Sequence, residues 1–153
     1  MSEIRRARAE DIPRIAELIT SEGLPPYGLD EYVDTFFVLD SDGTLVGCAG
    51  LELHGRAALV RSVVVLPERR GNSDGRRLVE RTLAEAGERG VRRVYLFTMH
   101  AAPFFQRLGF REIAPEEFEE AVRASRQYEA VTNIPQLRER IIGMALELPV
   151  GER

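Results

Sequence analysis

The chain has 153 residues, 44% of them hydrophobic and 30% charged, with a formal net charge of −4. That suits one globular domain over residues 1–153 and argues against a disordered tail or a nucleic-acid binder that relies on bulk positive charge. The composition also excludes a bilayer span, which needs ~20 consecutive apolar residues, and an internal disulfide framework, because Cys48 is the only cysteine. No apolar run follows the early arginines as in a secretory signal, so a reducing cytoplasm is the expected location. All 21 basic residues are arginine, which rules out Schiff-base and phosphate-loop lysine chemistry and reads first as genome composition.

In chain order, Ile4–Ala7 predicts a short strand. Asp11-Ile12-Pro13 opens a helix with Pro13 in its first turn, Asp11 near the N-cap, and Ile12, Ile15, Ala16, Leu18 and Ile19 as its apolar stripe. Gly23 to Gly28 breaks it, and a short helix over Asp30–Val33 follows. Phe36–Leu39 and Leu45–Leu53 form a hairpin around Ser41-Asp42-Gly43. A third strand, Ala57–Leu66, ends in an apolar run before Pro67. A helix then carries Gly75, Leu78, Val79, Thr82, Leu83 and Ala86 on one face and ends at Gly90. Val94–Thr98 is a buried strand, Ala102–Leu108 a short helix, Phe110–Ile113 a strand, and Ile141–Leu148 the last strand. Pro115 starts a helix whose Glu116, Glu117, Glu119 and Glu120 make a solvated face. This order describes an α/β fold, a mixed sheet with helices on both faces.

The chemistry concentrates between the third strand and the helix that follows. There Arg69-Arg70-Gly71-Asn72-Ser73-Asp74-Gly75-Arg76-Arg77 leads into a helix start. Free backbone N–H groups and the helix dipole converge at such a point and suit a phosphate or pyrophosphate, and Arg70, Arg76 and Arg77 can add charge-assisted contacts. A plain strand–helix connection with solvated arginines is the alternative. Residues 61–77 hold five arginines against Glu68 and Asp74, a basic patch inside an acidic chain.

The pattern Val65-x-Pro67-x-x-Arg70-Gly71-x-Ser73-x-Gly75-Arg76-x-Leu78 resembles the acetyl-CoA loop of the GNAT family of N-acetyltransferases. Phe104-Phe105-x-x-Leu108-Gly109-Phe110, Ile4-Arg5-x-Ala7-x-x-x-Asp11-Ile12 and Leu45-Val46-Gly47 match further segments of that family. The phrases Ala49 to Gly55, Leu59-Val60-Arg61-Ser62 and Tyr95-Leu96-Phe97-Thr98 are similar to those of arsenic-resistance-operon acetyltransferases and short N-acetylglutamate-synthase-like members.

The resemblance implies a mostly antiparallel sheet of six or seven strands, with a splayed cofactor gap between the fourth and fifth. It implies acetyl-CoA as cofactor and an amino acid or other small-molecule amine as acceptor, with no nucleic acid or membrane partner and a homodimer allowed. The backbones of Val63, Val64 and Val65 would line the pantetheine, with an N–H near Val63 polarising the thioester carbonyl. Residues Arg70, Gly71, Asn72, Ser73, Asp74, Gly75 and Arg76 would take the pyrophosphate, and Thr98, Phe104 and Phe105 would complete the cofactor contacts.

Four positions depart from the family pattern, the first being Ser73, a small residue where glycine or alanine is usual. Asp74 stands where Ile or Val is usual, on the helix's apolar stripe, where it either caps the helix or repels the pyrophosphate. Phe105 replaces a proton-donating tyrosine, and Thr98 an asparagine. Together Asp74 and Phe105 motivate a second reading, a degenerate acyl-CoA-binding module without transferase activity.

Glu52 and His54 share a strand face and are the candidate general bases, directly or through water. The plainer readings are a solvent-facing hairpin carboxylate and a turn residue. Arg61 lies in an apolar strand and either grips an acceptor carboxylate bidentately or pairs internally with Glu52. His100 falls near the expected gap, but two histidines without ligand spacing do not make a metal site. Cys48 reads as a small buried residue, and Phe36, Phe37, Phe97 and Phe110 as core.

Overall fold

A computed structural model describes residues 2–24, 26–71 and 73–149. The strands are β1 (Ser2–Arg6), β2 (Phe36–Ser41), β3 (Thr44–His54), β4 (Ala57–Val65), β5 (Arg93–Thr98), β6 (Arg111–Ile113) and β7 (Ile142–Glu147). The helices are α1 (Ile12–Ser21), α2 (Leu29–Tyr32), α3 (Asp74–Glu88), α4 (Ala102–Arg107), α5 (Glu120–Arg123), α6 (Arg126–Thr132) and α7 (Pro135–Arg138). The strand order is β1-β2-β3-β4-β5-β7-β6. β1 with β2, β2 with β3, β5 with β7 and β6 with β7 run antiparallel, while β4 and β5 run parallel. No helix among the described residues is long and apolar enough to cross a membrane.

Two compact units make up the chain. One comprises the residues up to Glu52 together with Val60–Glu85; the other comprises Leu53–Leu59 and the residues from Ala86 onward. In the first unit, β2 is buried on both faces, which is why Phe36-Phe37-Val38-Leu39 is a continuous apolar run rather than an alternating one. Phe36 and Val38 pack with Ile15, Leu18 and Ile19 of α1, whereas Phe37 and Leu39 pack with Leu78 of α3. Gly47 is required by close approach: a Cβ there would stand 2.9 Å from the Val64 carbonyl oxygen and 3.2 Å from Leu78 Cδ1.

Asp11 is the N-cap residue of α1, but its side chain makes no capping bond. Its carboxylate instead accepts from both Arg5 Nη atoms at 2.9 and 3.1 Å and from the Arg8 backbone N–H at 2.8 Å. Arg5 in turn reaches Asp40 at 3.1 Å. Glu85, buried on α3, accepts from both Arg6 Nη atoms at 3.2 and 3.0 Å, and Arg6 and Arg81 each lie over the Phe37 ring.

In the second unit, Ala57–Leu59 of β4 pair with Arg93–Tyr95 of β5. Tyr95, Phe118 and Ala145 pack with Ala57 and Leu59, and the Phe97 and Phe118 rings stack with centroids 4.9 Å apart. This cluster explains why the helix expected from Pro115 is not continuous. Pro115–Glu117 form one 3-10 turn, after which Phe118 and Glu119 are extended, and α5 begins only at Glu120. The break lets Phe118 enter the core, where it is 2% exposed. Glu119 is accordingly not a purely solvated residue, because the Tyr95 hydroxyl donates to its Oε2 at 3.0 Å.

Candidate active site

Within the first unit the site is built on β3, on β4 and on the loop into α3. β4 does not run evenly. Ser62 has φ 57° in mid-strand, a left-handed conformation that a non-glycine residue rarely adopts and that costs on the order of 1–3 kcal/mol. Hydrogen bonds hold it there: Arg61 Nε donates to Ser62 Oγ at 3.0 Å, and the Cys48 thiol donates to the Ser62 carbonyl at 3.3 Å. Beyond the kink Val64 is buried in the core beside α1, while Val63 and Val65 are only half-buried.

Arg61 and Glu52 form a buried ion pair at 2.8 Å, with 2% and 3% of their side chains exposed. Of the two readings of Arg61, this geometry is the internal one. It also removes the solvent-facing reading of Glu52, which is 2% exposed. The same Arg61 Nη1 donates to the Tyr27 carbonyl in the connection between α1 and α2, and the guanidinium lies 5.8 Å from the Phe36 ring centroid. Burying two charges demands a well-satisfied geometry, and Arg61 reaches it with partners on β3, β4 and the α1–α2 connection.

After β4, Pro67–Arg69 make a 3-10 turn, and Gly71 and Ser73 then take φ of 88° and 58°. A Cβ at Gly71 would meet nothing within 4 Å. The two left-handed residues turn the chain into α3, whose first residue is Asp74, so Asp74 lies inside the helix rather than at its cap. Its carboxylate accepts from Arg77 Nη1 at 3.1 Å and lies 3.8 Å from Arg69 Nη2. A carboxylate in a first helical turn is favoured by the helix dipole. Arg76 pairs with Glu80 at 3.1 Å, and Arg70 pairs with Glu22 at 3.1 Å while its Nε donates to the Val65 carbonyl at 2.8 Å. An open glycine, a small serine and four arginines at the mouth of a 15-residue helix fit a pyrophosphate. Asn72 lies outside the described residues.

The second unit carries the other candidates. Thr98, at the end of β5, is buried, and its Oγ1 accepts from the Ala101 N–H at 3.0 Å just before α4. Phe105 is buried edge-on to Phe104 and Phe110, with centroids 5.0 and 5.7 Å away. His54 is half-buried at the end of β3, and His100 is exposed.

Sequence reasoning missed Glu22, the Tyr27 carbonyl and the left-handed Ser62. Glu22 alone had a local signal, a carboxylate directly before the helix-ending Gly23. The others depend on contacts between residues distant in sequence.

A family model described as an acetyltransferase (GNAT) domain matches residues 33–112. An uncharacterized N-acetyltransferase of Chlorobaculum tepidum is 35% identical over 127 residues, covering 78% of this chain and 81% of that protein. An amino-acid acetyltransferase of Vibrio cholerae is 27% identical over 145 residues, covering 89% of this chain and 33% of that protein, so the chain spans about a third of its length. A Mycobacterium tuberculosis protein solved in complex with CoA superposes with a TM-score of 0.78 at 27% identity, covering 96% of this chain and 99% of that one. The chain belongs to the GNAT family of N-acetyltransferases.

Proposed function

We propose that the chain transfers an acetyl group from acetyl-CoA to the amine of a small molecule, an amino acid or an amino-acid-like compound. The observation that carries this reading is the loop before α3, where left-handed Gly71 and Ser73 lead into a helix start that has Arg69 and Arg70 before it and Arg76 and Arg77 in its first turn. The name of the amino-acid acetyltransferase relative and the CoA bound to the M. tuberculosis relative support the acceptor class and the donor.

When bound, acetyl-CoA supplies a thioester carbonyl open to attack by a neutral amine. Arg70, Gly71, Ser73, Gly75 and Arg76 hold the pyrophosphate, and the backbone of Val63, Val64 and Val65 offers hydrogen bonds to an extended chain, as a sheet edge does to an added strand. The left-handed Ser62 interrupts regular strand geometry just before Val63, whose N–H is the one that would polarise the carbonyl.

Glu52 or His54 takes the proton the amine loses. The two differ in setting: Glu52 is buried and bound by Arg61, whereas His54 is half-buried at a strand end. Phe105 has no acidic proton to give, so a departing thiolate would take its proton from water.

A free-thiol release assay with acetyl-CoA and a panel of amino acids and simple amines tests this reading. Release above the hydrolysis blank with at least one amino acid is expected; no release with any acceptor overturns it. Single Glu52→Gln and His54→Ala variants then identify the base, since loss of the base removes one limb of the pH–rate profile.

A further inference from the structure

Glu22 places a carboxylate where helix chemistry disfavours one. It is the C-cap of α1, and the helix ends in a six-to-one turn. The Gly23 N–H donates to the Thr20 carbonyl at 3.0 Å and the Leu24 N–H to the Ile19 carbonyl at 3.2 Å, with Gly23 at φ 73°. The carbonyl end of a helix is its negative pole, so a carboxylate there needs a compensating cation. Arg70 supplies it, with Nη2 donating to Glu22 Oε1 at 3.1 Å.

Two demands meet on that guanidinium. Its Nε donates to the Val65 carbonyl while Nη2 holds Glu22. Nε and Nη2 flank one edge of the planar fork, and that edge is one of those that grip an oxyanion bidentately. Arg70 therefore cannot present this edge to a phosphate while it holds Glu22 and Val65. Among Arg69, Arg70, Arg76 and Arg77, Arg70 alone has its carboxylate partner outside the loop and α3. Five residues beyond Glu22, the Tyr27 carbonyl accepts from Arg61, whose guanidinium also binds Glu52. The α1–α2 connection is thus tied at one point to the anion loop and at another to the buried pair.

We propose that Glu22 is a positioning residue that competes with the anion for Arg70. When a diphosphate group occupies the loop, Arg70 turns to it, and Glu22 is left uncompensated at the negative end of α1. The last turn of α1 then loosens, so donor binding unlocks the end of α1, five residues ahead of the Tyr27 carbonyl that Arg61 holds. This rests on the reading of the loop as the acetyl-CoA pyrophosphate site.

Hydrogen exchange and calorimetry on the full chain, with CoA as the probe, test the coupling. The amides of Glu22, Gly23 and Leu24 report the end of α1. In the wild type, CoA should speed their exchange about two- to fivefold, the scale of one exposed ion pair. Glu22→Gln should bind CoA about two- to fivefold tighter, and its exchange should no longer respond to CoA. Glu17→Gln, on an exposed position of the same helix, removes the same charge and should match the wild type in both measurements.

CoA binding that leaves the three amides unchanged overturns the coupling. So does equal affinity in Glu22→Gln and wild type, or a Glu17→Gln variant that tightens as much as Glu22→Gln. A wild type that binds no CoA removes the loop reading and the coupling with it, an outcome distinct from the other three.

Discussion

Arg61 donates to Glu52 at 2.8 Å with both side chains almost wholly out of solvent, and the same guanidinium nitrogen donates to the Tyr27 carbonyl. One residue thus ties β3 and β4 to the α1–α2 connection. Removing one member of such a pair leaves an uncompensated buried charge. Arg61→Met is expected to cost about 3–5 kcal/mol of stability, and the double variant Glu52→Leu with Arg61→Met to recover most of that loss. Urea unfolding of the two variants and the wild type checks this; a double variant no more stable than the single one would show that the pair is not the main energetic link.

Asp74 bears on donor affinity. Its charge is offset by Arg77 and approached by Arg69, so it holds two cations of the anion loop. Asp74→Asn should free them and tighten CoA binding about threefold, while losing roughly 0.3–1 kcal/mol of first-turn stabilisation. Titration calorimetry reads the first effect and thermal unfolding the second.

The Arg5–Asp11 contact sets a pH dependence. The hydrogen bond from Arg5 is the main cause holding the Asp11 carboxyl below its ordinary range, against burial, which pushes it up. A carboxyl whose pKa is depressed on folding contributes stability that is complete above its unfolded pKa of about 3.9 and fades as pH falls through the folded value. The stability difference between wild type and Asp11→Asn should therefore be constant near neutrality and shrink below about pH 4. Denaturant melts at a series of pH values measure it.

Cys48 is buried on β3, and burial pushes its thiol up to about 12. At pH 8 the folded protein should react with a thiol reagent only as fast as it opens, because the thiolate is the nucleophile. Labelling should become rapid in denaturant, where the group returns to about 8.5. Rapid labelling of the folded chain would contradict the buried placement.

Gly47→Ala forces a Cβ to within 2.9 Å of the Val64 carbonyl oxygen. Backbone cannot yield as a flexible side chain does, so a loss of about 1–3 kcal/mol is expected, together with weaker CoA binding as β4 shifts. Gly87→Ala, which would meet nothing within 4 Å, is the matched control.

Much of the fold was legible because its signals are local. The apolar run at Phe36 to Leu39 required a strand buried on both sides, and Leu78, Val79, Thr82 and Ala86 of α3 are buried as their spacing required. The segment after Pro115 misled because Glu116 to Glu120 suit a helix locally, while Phe118 gains more by leaving helical backbone to join Tyr95 and Phe97.

In the candidate site, the loop before α3 was legible from its glycines and arginines. The partners of those arginines were not: Glu22 and Arg70 are 48 positions apart, and no periodicity joins them. Spacing left Arg61 between an acceptor and Glu52, and only coordinates show the internal pair. Ser62 gave no warning, since φ 57° is uncommon for a non-glycine residue and serine is not among those enriched there.

The absence of lysine gives the ion pairs a one-sided titration. In the pairs of Arg5, Arg6, Arg61, Arg70 and Arg77 the cation is a guanidinium, which keeps its proton throughout the range in which proteins stay folded. Only the carboxylate half can be discharged. Alkali therefore has no cation to neutralise in these contacts, and acid alone can open them.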